Sequence, residues 1–266
     1  MSLNVLTAGE GPPLLLLHGF TGTARSWEKQ VERWSGRHRV IAPDLLGHGG
    51  SEAPTTSARY ALEHQADDLA RLLALLDAAP AAVVGYSMGA RLALVLALGH
   101  PDAVRSLVLE SPSAGIGEDH ARAARHDADE HLATDIERDG VEAFIDRWEA
   151  QPLFASHAAL PDDVWAAVRA ERLRHTTTGL AASLRGAGQG AMTPLHDRLH
   201  QIDAPTMVIA GQLDPTGLGR ARHVAEGIPG ARLEVVPEAG HTPHIERPEE
   251  FGRLVDHHLL ARQTTH

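Results

Sequence analysis

The stretch Ala81-Ala82-Val83-Val84-Gly85-Tyr86-Ser87-Met88-Gly89 decides the fold of this chain. A short apolar run leads into the pattern G-x-S-x-G, and an Ala- and Leu-rich helical pattern follows over residues 91–98. The flanking glycines let the chain turn tightly from a strand into a helix, and that turn presents a serine hydroxyl above the sheet. The alternative is an ordinary strand–helix turn with a capping serine. The context favours Ser87 as a reactive serine.

Apolar runs of the same kind recur on both sides of this stretch. Short apolar runs beside glycine turns are typical of buried parallel strands, and residues 14–17 and 206–210 are such runs. Further candidate strands are residues 40–42, 104–109 and 233–236. Apolar residues spaced by three and four predict helices over residues 62–76 and 251–260. Because strands alternate with helices, we predict an α/β fold with a mostly parallel sheet flanked by helices.

The middle of the chain interrupts this alternation. It carries helical patterns and no convincing strand, the clearest helical pieces being residues 120–132, 141–149 and 162–174. We predict an inserted helical cap over residues 113–190, with residues 1–112 and 191–266 forming the core. The glycine-rich residues 186–190 follow no strand, so we interpret them as a linker from cap to core and not as a dinucleotide-binding loop.

A serine hydroxyl needs a histidine to take its proton, and the histidine needs an acid to orient it. The best candidate histidine is His241, which follows the last predicted strand in Gly240-His241. Asp214 follows the strand at residues 206–210, so the chain order is Ser87, Asp214, His241, the order typical of this kind of site. Glu110 ends an earlier strand and is a competing acid, although we prefer Asp214.

Two backbone N–H groups are candidates for an oxyanion hole beside Ser87. One belongs to Met88, the residue directly after the serine. The other belongs to Phe20, in the loop His18-Gly19-Phe20-Thr21-Gly22 that follows the strand at residues 14–17. A simple glycine-rich turn is the alternative for this loop.

Composition excludes several classes of protein. The 266 residues carry a formal net charge of −11 and no dense Lys/Arg run, so we expect no nucleic-acid partner. There is no cysteine, which excludes disulfides and a cysteine nucleophile, and the 18 histidines form no metal-binding pattern. We expect no metal and no organic cofactor. Neither a signal peptide nor a membrane-spanning run is evident, so we expect a cytoplasmic protein with no membrane partner.

Four motifs give the chain a resemblance to the α/β-hydrolase superfamily over nearly its whole length. They are Leu17-His18-Gly19-Phe20, Pro43-Asp44-Leu45-Leu46-Gly47-His48-Gly49, Gly85-Tyr86-Ser87-Met88-Gly89 and Gly240-His241. The second motif continues to Ser51 and resembles the superfamily's D-x-x-G-x-G-x-S loop, for which we expect a structural role. About 13 residues precede the first clear strand, so the resemblance implies a shortened opening hairpin.

Further residues outside these motifs resemble the 2-succinyl-6-hydroxy-2,4-cyclohexadiene-1-carboxylate synthases of menaquinone biosynthesis. Arg91 lies four positions after the serine. The other matching stretches are residues 110–116, 122–129, 144–154 and 173–174. Residues 110–116 lack the proline of that family's pattern at the usual place, and Ala90 replaces a glycine common there.

This resemblance implies a lyase that eliminates pyruvate from an enolpyruvyl cyclohexene carboxylate, with the triad serine as a base and no acyl-enzyme. The implied small-molecule substrate carries several carboxylates, and a guanidinium can bind a carboxylate with two parallel hydrogen bonds. We therefore expect Arg91, Arg125 and Arg174 to bind substrate, and Tyr86 and Trp148 to line the site. An ordinary ion pair or a solvated helix face is the alternative for each arginine.

Two other functions stay open. The same triad could serve a true hydrolase acting on an ester, a lactone or a carbon–carbon bond, because one fold supports many chemistries. A non-catalytic binding protein is the other possibility, although a complete set of Ser87, Asp214 and His241 argues against it.

Overall fold

The computed structural model describes residues 2–260 of the chain. Its centre is a seven-stranded sheet with helices on both faces. The strands are β1 Val5–Ala8, β2 Pro13–Leu17, β3 Arg39–Pro43, β4 Ala81–Tyr86, β5 Val104–Glu110, β6 Thr206–Gly211 and β7 Arg232–Val236. All six strands predicted from apolar runs are confirmed, and so is the α/β fold.

The strands lie in the order β1-β3-β2-β4-β5-β6-β7. Within residues 2–260, only β1 is antiparallel to its neighbour, and it pairs with β3 at one edge of the sheet. All other pairs are parallel. Since the carboxyl ends of parallel strands meet at one edge, the loops after β2, β4, β5, β6 and β7 converge there, as is usual for the sites of open α/β sheets.

Apolar side chains cover the sheet from both sides. Leu14 and Leu16 pack toward one face, while Leu15 and Leu17 pack toward the other, and all four are fully buried. This alternation explains why a buried strand reads as a continuous apolar run. The α-helices are α1 Glu28–Trp34, α2 Leu62–Leu75, α3 Met88–Gly99, α4 Asp119–Glu149, α5 Asp162–Arg172, α6 Thr177–Ala187, α7 Pro215–Gly227, α8 Pro243–Glu246 and α9 Pro248–Leu260.

The chain between β5 and β6 contains helices and no strand, and every residue of this segment is described. Helix α4 covers both of the first two predicted helical pieces, and it changes direction at Gly140, whose φ of 84° and ψ of 172° are not helical. The cap has its own small apolar cluster, in which Phe144 and Ile145 pack against Leu180. We propose the boundaries expected from the sequence, with residues 113–190 as the cap.

No helix among residues 2–260 is long and apolar enough to cross a membrane.

Candidate active site

Ser87 lies at a sharp turn between β4 and α3. Its φ of 51° and ψ of −104° place it in a region that residues with a side chain rarely adopt. The turn needs glycine on both sides, because a Cβ at Gly85 would lie 2.4 Å from the carbonyl oxygen of Gly89, and one at Gly89 would lie 2.1 Å from that of Leu17. This strained turn aims the serine hydroxyl out of the sheet edge.

His241 joins Ser87 to Asp214. Its Nε2 lies 3.1 Å from Ser87 Oγ, and its Nδ1 lies 2.7 Å from Asp214 Oδ2. These distances are those of a serine–histidine–acid relay, in which the acid fixes the ring tautomer and the ring takes the serine proton. The chain positions expected from the sequence are therefore close enough in space to work together.

Asp214 is held ionised beside the histidine. It caps helix α7, and its Oδ1 accepts a hydrogen bond from the backbone N–H of Gly217 at 2.8 Å. Burial raises the pKa of Asp214, but the hydrogen bonds from His241 and Gly217 outweigh it, so that the pKa lies below its ordinary value. The carboxylate can therefore stabilise an imidazolium at neutral pH.

Glu110, the alternative acid, serves a different histidine. Its Oε1 accepts hydrogen bonds from the backbone N–H and from Nδ1 of His244, both at 2.9 Å. Glu110 is 0% exposed and His244 is 1% exposed. Because this pair is sealed away from Ser87, the geometry favours Asp214 as the acid of the site.

The loop expected to supply one oxyanion-hole amide lies against the serine. A Cβ at Gly19 would sit 3.4 Å from the Cβ of Ser87, and Phe20 lines the same cavity as Ser87. His18 holds the loop in place, because its Nδ1 bonds the Gly19 carbonyl at 2.8 Å and its Nε2 accepts from the Leu45 N–H at 2.9 Å.

The other expected amide belongs to Met88, the first residue of α3, where N–H groups have no partner within the helix. The positive end of the helix dipole also lies here, and it favours negative charge beside Ser87. Phe20 and Met88 both line the cavity that holds Ser87, and the role of their amides as an oxyanion hole stays a prediction.

The loop after β3 has the structural part expected of it. The Asp44 carboxylate accepts from the N–H groups of Ala24 and Gly50, at 2.7 and 2.8 Å, and from the Asn4 amide at 2.8 Å. Burial raises the pKa of Asp44, but these bonds outweigh it and lower the pKa. Asp44 thus ties three loops together behind the site.

A cavity of about 280 Å³ opens over Ser87 between the core and the cap. Its charged lining residues, besides His241, are three arginines and one aspartate. Its floor and walls combine apolar and polar side chains, namely Phe20, Ser87, Met88, Arg91, Arg125, Asp129, Trp148, Gln151, Phe154, Ser183, Gln189 and Arg220 among others.

Arg91 and Arg125 both line this cavity, as expected from the sequence. Arg91 is only 6% exposed, and its Nη1 donates to the carbonyl oxygen of Ala187 at 2.8 Å. Burial, aided by the nearby charge of Arg125, lowers the pKa of Arg91 to about 10. The guanidinium thus stays charged at neutral pH. Arg125 donates to Asp129 at 2.8 Å, and its side chain is 38% exposed.

Trp148 also lines the cavity and packs edge-on against Phe20, with ring centroids 5.3 Å apart. Its indole Nε1 is buried and has no hydrogen-bond partner among residues 2–260. The ring therefore lines the cavity with an apolar wall, as expected from the sequence.

Arg174 and Tyr86 are not part of this cavity, which corrects two expectations from the sequence. The Arg174 side chain is 63% exposed and pairs with Glu171 at 3.3 Å, because it follows the end of α5 on the solvent side. Tyr86 points under Gly19, and its ring lies 5.5 Å from that of His241 and 4.8 Å from that of His244. It supports the triad histidine from behind and faces a different cavity.

Sequence reasoning missed Arg220. Asp214, Gly217 and Arg220 are spaced by three residues at the start of α7, so they share one face of the helix, and both Gly217 and Arg220 line the cavity. The charge of Arg220 also contributes to the lowered pKa of Asp214. The helical spacing from Asp214 was the signal that could have found it.

The sequence profile of the family described as "alpha/beta hydrolase fold" matches residues 12–248. The chain therefore belongs to the α/β-hydrolase fold family.

Relatives that match over nearly their full length indicate which branch of the α/β-hydrolase fold family the chain resembles. A Bacillus subtilis protein provisionally named 2-succinyl-6-hydroxy-2,4-cyclohexadiene-1-carboxylate synthase is 40% identical over 96% of this chain and 94% of its own. The structure titled "Structure of MenH from S. aureus" has a TM-score of 0.94 at 31% identity, covering 98% of this chain and 99% of that one. The chain is an enzyme of the family to which these synthases belong. A thermophilic esterase from Thermogutta terrifontis has a TM-score of 0.88 at 30% identity, with coverage of 98% and 94%.

Proposed function

We propose that this enzyme eliminates pyruvate from 2-succinyl-5-enolpyruvyl-6-hydroxy-3-cyclohexene-1-carboxylate and forms 2-succinyl-6-hydroxy-2,4-cyclohexadiene-1-carboxylate, a step of menaquinone biosynthesis. The observation that carries the proposal is the buried, charged Arg91 beside Ser87 in a cavity that also holds Arg125. A site for a neutral ester has no need of a desolvated guanidinium. The synthase names of full-length relatives agree with this reaction.

The substrate has three carboxylates, one on the ring, one on the succinyl chain and one on the enolpyruvyl group. Arg125 is neutralised by Asp129, so Arg91 and Arg220 give the charged lining side chains a net positive balance in a chain whose formal charge is −11. Local cations are what a polyanionic substrate needs to enter such a protein. We therefore propose that Arg91, Arg125 and Arg220 bind the carboxylates, and that Arg174 does not.

The chemistry follows from the position of the acidic proton. The ring C2–H is next to the succinyl ketone, so Ser87 Oγ, deprotonated through His241, can remove it. The released electron pair forms the C2=C3 bond, the C3=C4 pair moves to C4=C5, and the C5–O bond breaks. Pyruvate leaves as its enolate and gains a proton, and no water is consumed. The amides of Phe20 and Met88 would stabilise negative charge on the ketone oxygen.

The test is whether the purified protein releases pyruvate, which a coupled assay with lactate dehydrogenase measures. We expect stoichiometric pyruvate from the enolpyruvyl substrate, unaffected by a chelator, and only slow hydrolysis of simple aryl esters. Rapid ester turnover without pyruvate would contradict the proposal.

A hydrolase that uses the same triad as a nucleophile is the second candidate, and the hydrogen bond between His241 and Ser87 at 3.1 Å supports it equally well. An esterase structure is also among the similar folds. Covalent labelling of Ser87 by a fluorophosphonate would separate both enzymes from a binding protein. We further propose a cytoplasmic enzyme with a small carboxylate substrate as its partner.

A further inference from the structure

One buried carboxylate grips the loop that carries His241. The Glu246 side chain is 4% exposed. Its Oε2 accepts from the backbone N–H of Gly240 at 2.7 Å, and its Oε1 accepts from that of Thr242 at 3.0 Å. These two amides flank His241, so a single side chain holds the backbone on both sides of the histidine.

The rest of this loop is held as well. Ser111 Oγ donates to the carbonyl oxygen of His241 at 2.9 Å. Burial raises the pKa of Glu246, but the hydrogen bonds from Gly240 and Thr242 outweigh it and lower the pKa, so the group is a carboxylate at neutral pH. Hydrogen bonds to an ionised acceptor are roughly twice as strong as neutral ones. The loop is therefore fixed by charge-assisted bonds at the residue whose ring must reach both Ser87 and Asp214.

The cap joins the same network. Thr242 Oγ1 donates to Glu246 Oε1 at 2.8 Å, so it accepts from Nε2 of His157, which lies 2.6 Å away. His157 belongs to the 3-10 segment Pro152–Ala159 of the cap and is 4% exposed. Its neighbour Ser156 covers Gly240 so closely that a Cβ there would lie 2.1 Å from Ser156 Oγ. The cap thus touches the loop both before and after His241.

We propose that Glu246 is a positioning residue for His241, and that the cap helps to position His241 through the hydrogen bond from His157 to Thr242. A cap that moves away would release Thr242 and loosen the histidine, so full activation of Ser87 requires a seated cap. The proposal rests on the triad assignment and not on the identity of the substrate.

The first experiment measures the rate at which a fluorophosphonate labels Ser87, together with the low-field proton NMR signal of the His241 Nδ1–H. In Glu246→Gln, the amide NH₂ must face one of the two backbone N–H groups, so the hydrogen bond from that N–H is lost. We expect labelling and kcat to fall about tenfold or more, with KM within about twofold and the NMR signal broadened. The control is Glu238→Gln, an exposed glutamate of the same loop, which should match the wild type.

Matched pairs test the cap's part. Thr242→Ser keeps the hydroxyl and should label at the wild-type rate, while Thr242→Val should be slow. His157→Gln keeps a donor near Nε2 and should stay close to the wild type, while His157→Leu should resemble Thr242→Val. These pairs test whether the Thr242 hydroxyl and His157 help to position His241, even where Glu246→Gln fails to fold.

Wild-type labelling rates and NMR signals in both Glu246→Gln and Thr242→Val would overturn the proposal. A wild-type enzyme that is never labelled would overturn it too, because His241 would then not activate Ser87. A labelled enzyme that releases no pyruvate would contradict the proposed reaction alone.

Discussion

Two acid–histidine pairs lie at the carboxyl ends of neighbouring strands, and only one of these two pairs contacts Ser87. Asp214 follows β6 and bonds His241 at 2.7 Å, whereas Glu110 ends β5 and bonds His244 at 2.9 Å. The residue types and bond lengths are nearly the same, and the two histidines are three positions apart. Chemical type therefore does not tell the two pairs apart.

Their surroundings do. The second ring nitrogen of His241 faces Ser87 and the cavity. The ring of His244 lies between Trp27, at 4.5 Å, and Tyr86, at 4.8 Å. The first pair can pass a proton, while the second ties the turn after His241 to the sheet. Place relative to the cavity, and not residue type, gives an acid–histidine pair its chemistry.

The largest expected effect is on catalysis, and it compares the two acid–histidine pairs directly. We expect Asp214→Asn and His241→Ala to lower kcat/KM for pyruvate release about a thousandfold or more, because the triad acts as a unit. Glu110→Gln should stay within about threefold, measured per folded molecule. A severe loss in Glu110→Gln with a mild one in Asp214→Asn would reassign the acid.

Two buried histidines, His18 and His157, have no hydrogen bond to a carboxylate among residues 2–260, although His157 Nε2 lies 3.9 Å from Glu246 Oε1. They extend the comparison to the pH dependence of stability. Burial lowers the pKa of His18 and the pKa of His157 to about 4. Above about pH 6.5 these groups are neutral in both states and do not change stability. Below it the unfolded chain binds protons that the folded chain does not, so stability falls between pH 6.5 and 4, by on the order of 3 kcal/mol for His18.

Urea unfolding between pH 7.5 and 5 measures this slope. His157→Gln should flatten it, while His64→Gln, at an exposed position, should not. A free energy of unfolding that is constant down to pH 5 would contradict the assignment of neutral buried histidines.

The arginines also differ in their expected effect on catalysis according to whether they line the cavity. Arg91→Gln should lower kcat/KM about tenfold to a hundredfold, since a charge-assisted contact contributes roughly 1.5–3 kcal/mol. Arg220→Gln should raise KM about tenfold, whereas Arg174→Gln and the exposed Arg222→Gln should leave both constants unchanged. Steady-state kinetics at fixed ionic strength measure all four. A rise in KM in Arg174→Gln as large as that in Arg220→Gln would restore the expectation from the sequence that Arg174 binds substrate.

The smallest effect concerns stability alone. Both hydrogen bonds from His244 end on Glu110 Oε1, so a glutamine oxygen could still accept them, but without the charge. Its NH₂ group would replace Oε2, which is buried without a hydrogen-bond partner among residues 2–260, and would be an unsatisfied donor there. We expect Glu110→Gln to lower the free energy of unfolding by about 1–2 kcal/mol. The urea midpoint at pH 7.5 measures it, with Glu63→Gln on the surface of α2 as the control. An unchanged midpoint would mean that the second pair does not stabilise the turn.

The sheet could be predicted because its strands are buried on both faces and therefore read as apolar runs. Strand β1 could not, since Val5–Ala8 is short and half-exposed at the antiparallel edge. Helix α6 was missed because its apolar residues face the cap cluster while threonines and glycines obscure the pattern.

The proximity of Ser87, Asp214 and His241 was predictable because each of them follows a strand end, and parallel strand ends converge. Three arginines line the cavity, and the sequence predicted Arg91 and Arg125 but not Arg220. The position of Arg91 follows from its distance to Ser87 along one helix. The position of a cap arginine such as Arg174 depends on which face of a highly charged helix packs inward, and residue spacing alone does not decide that. The spacing of Arg220 from Asp214 along α7 could have indicated it, whereas the bonds from Glu246 to the loop around His241 are visible only in the folded contacts.

The most direct test of the central claim is the intact mass of the enzyme, quenched during turnover of the enolpyruvyl substrate while pyruvate is measured in the same sample. If Ser87 acts as a base, the protein mass stays unmodified as pyruvate accumulates. A covalent adduct on Ser87 that forms and decays with turnover would contradict the account, because Ser87 would then act as a nucleophile and not as a base.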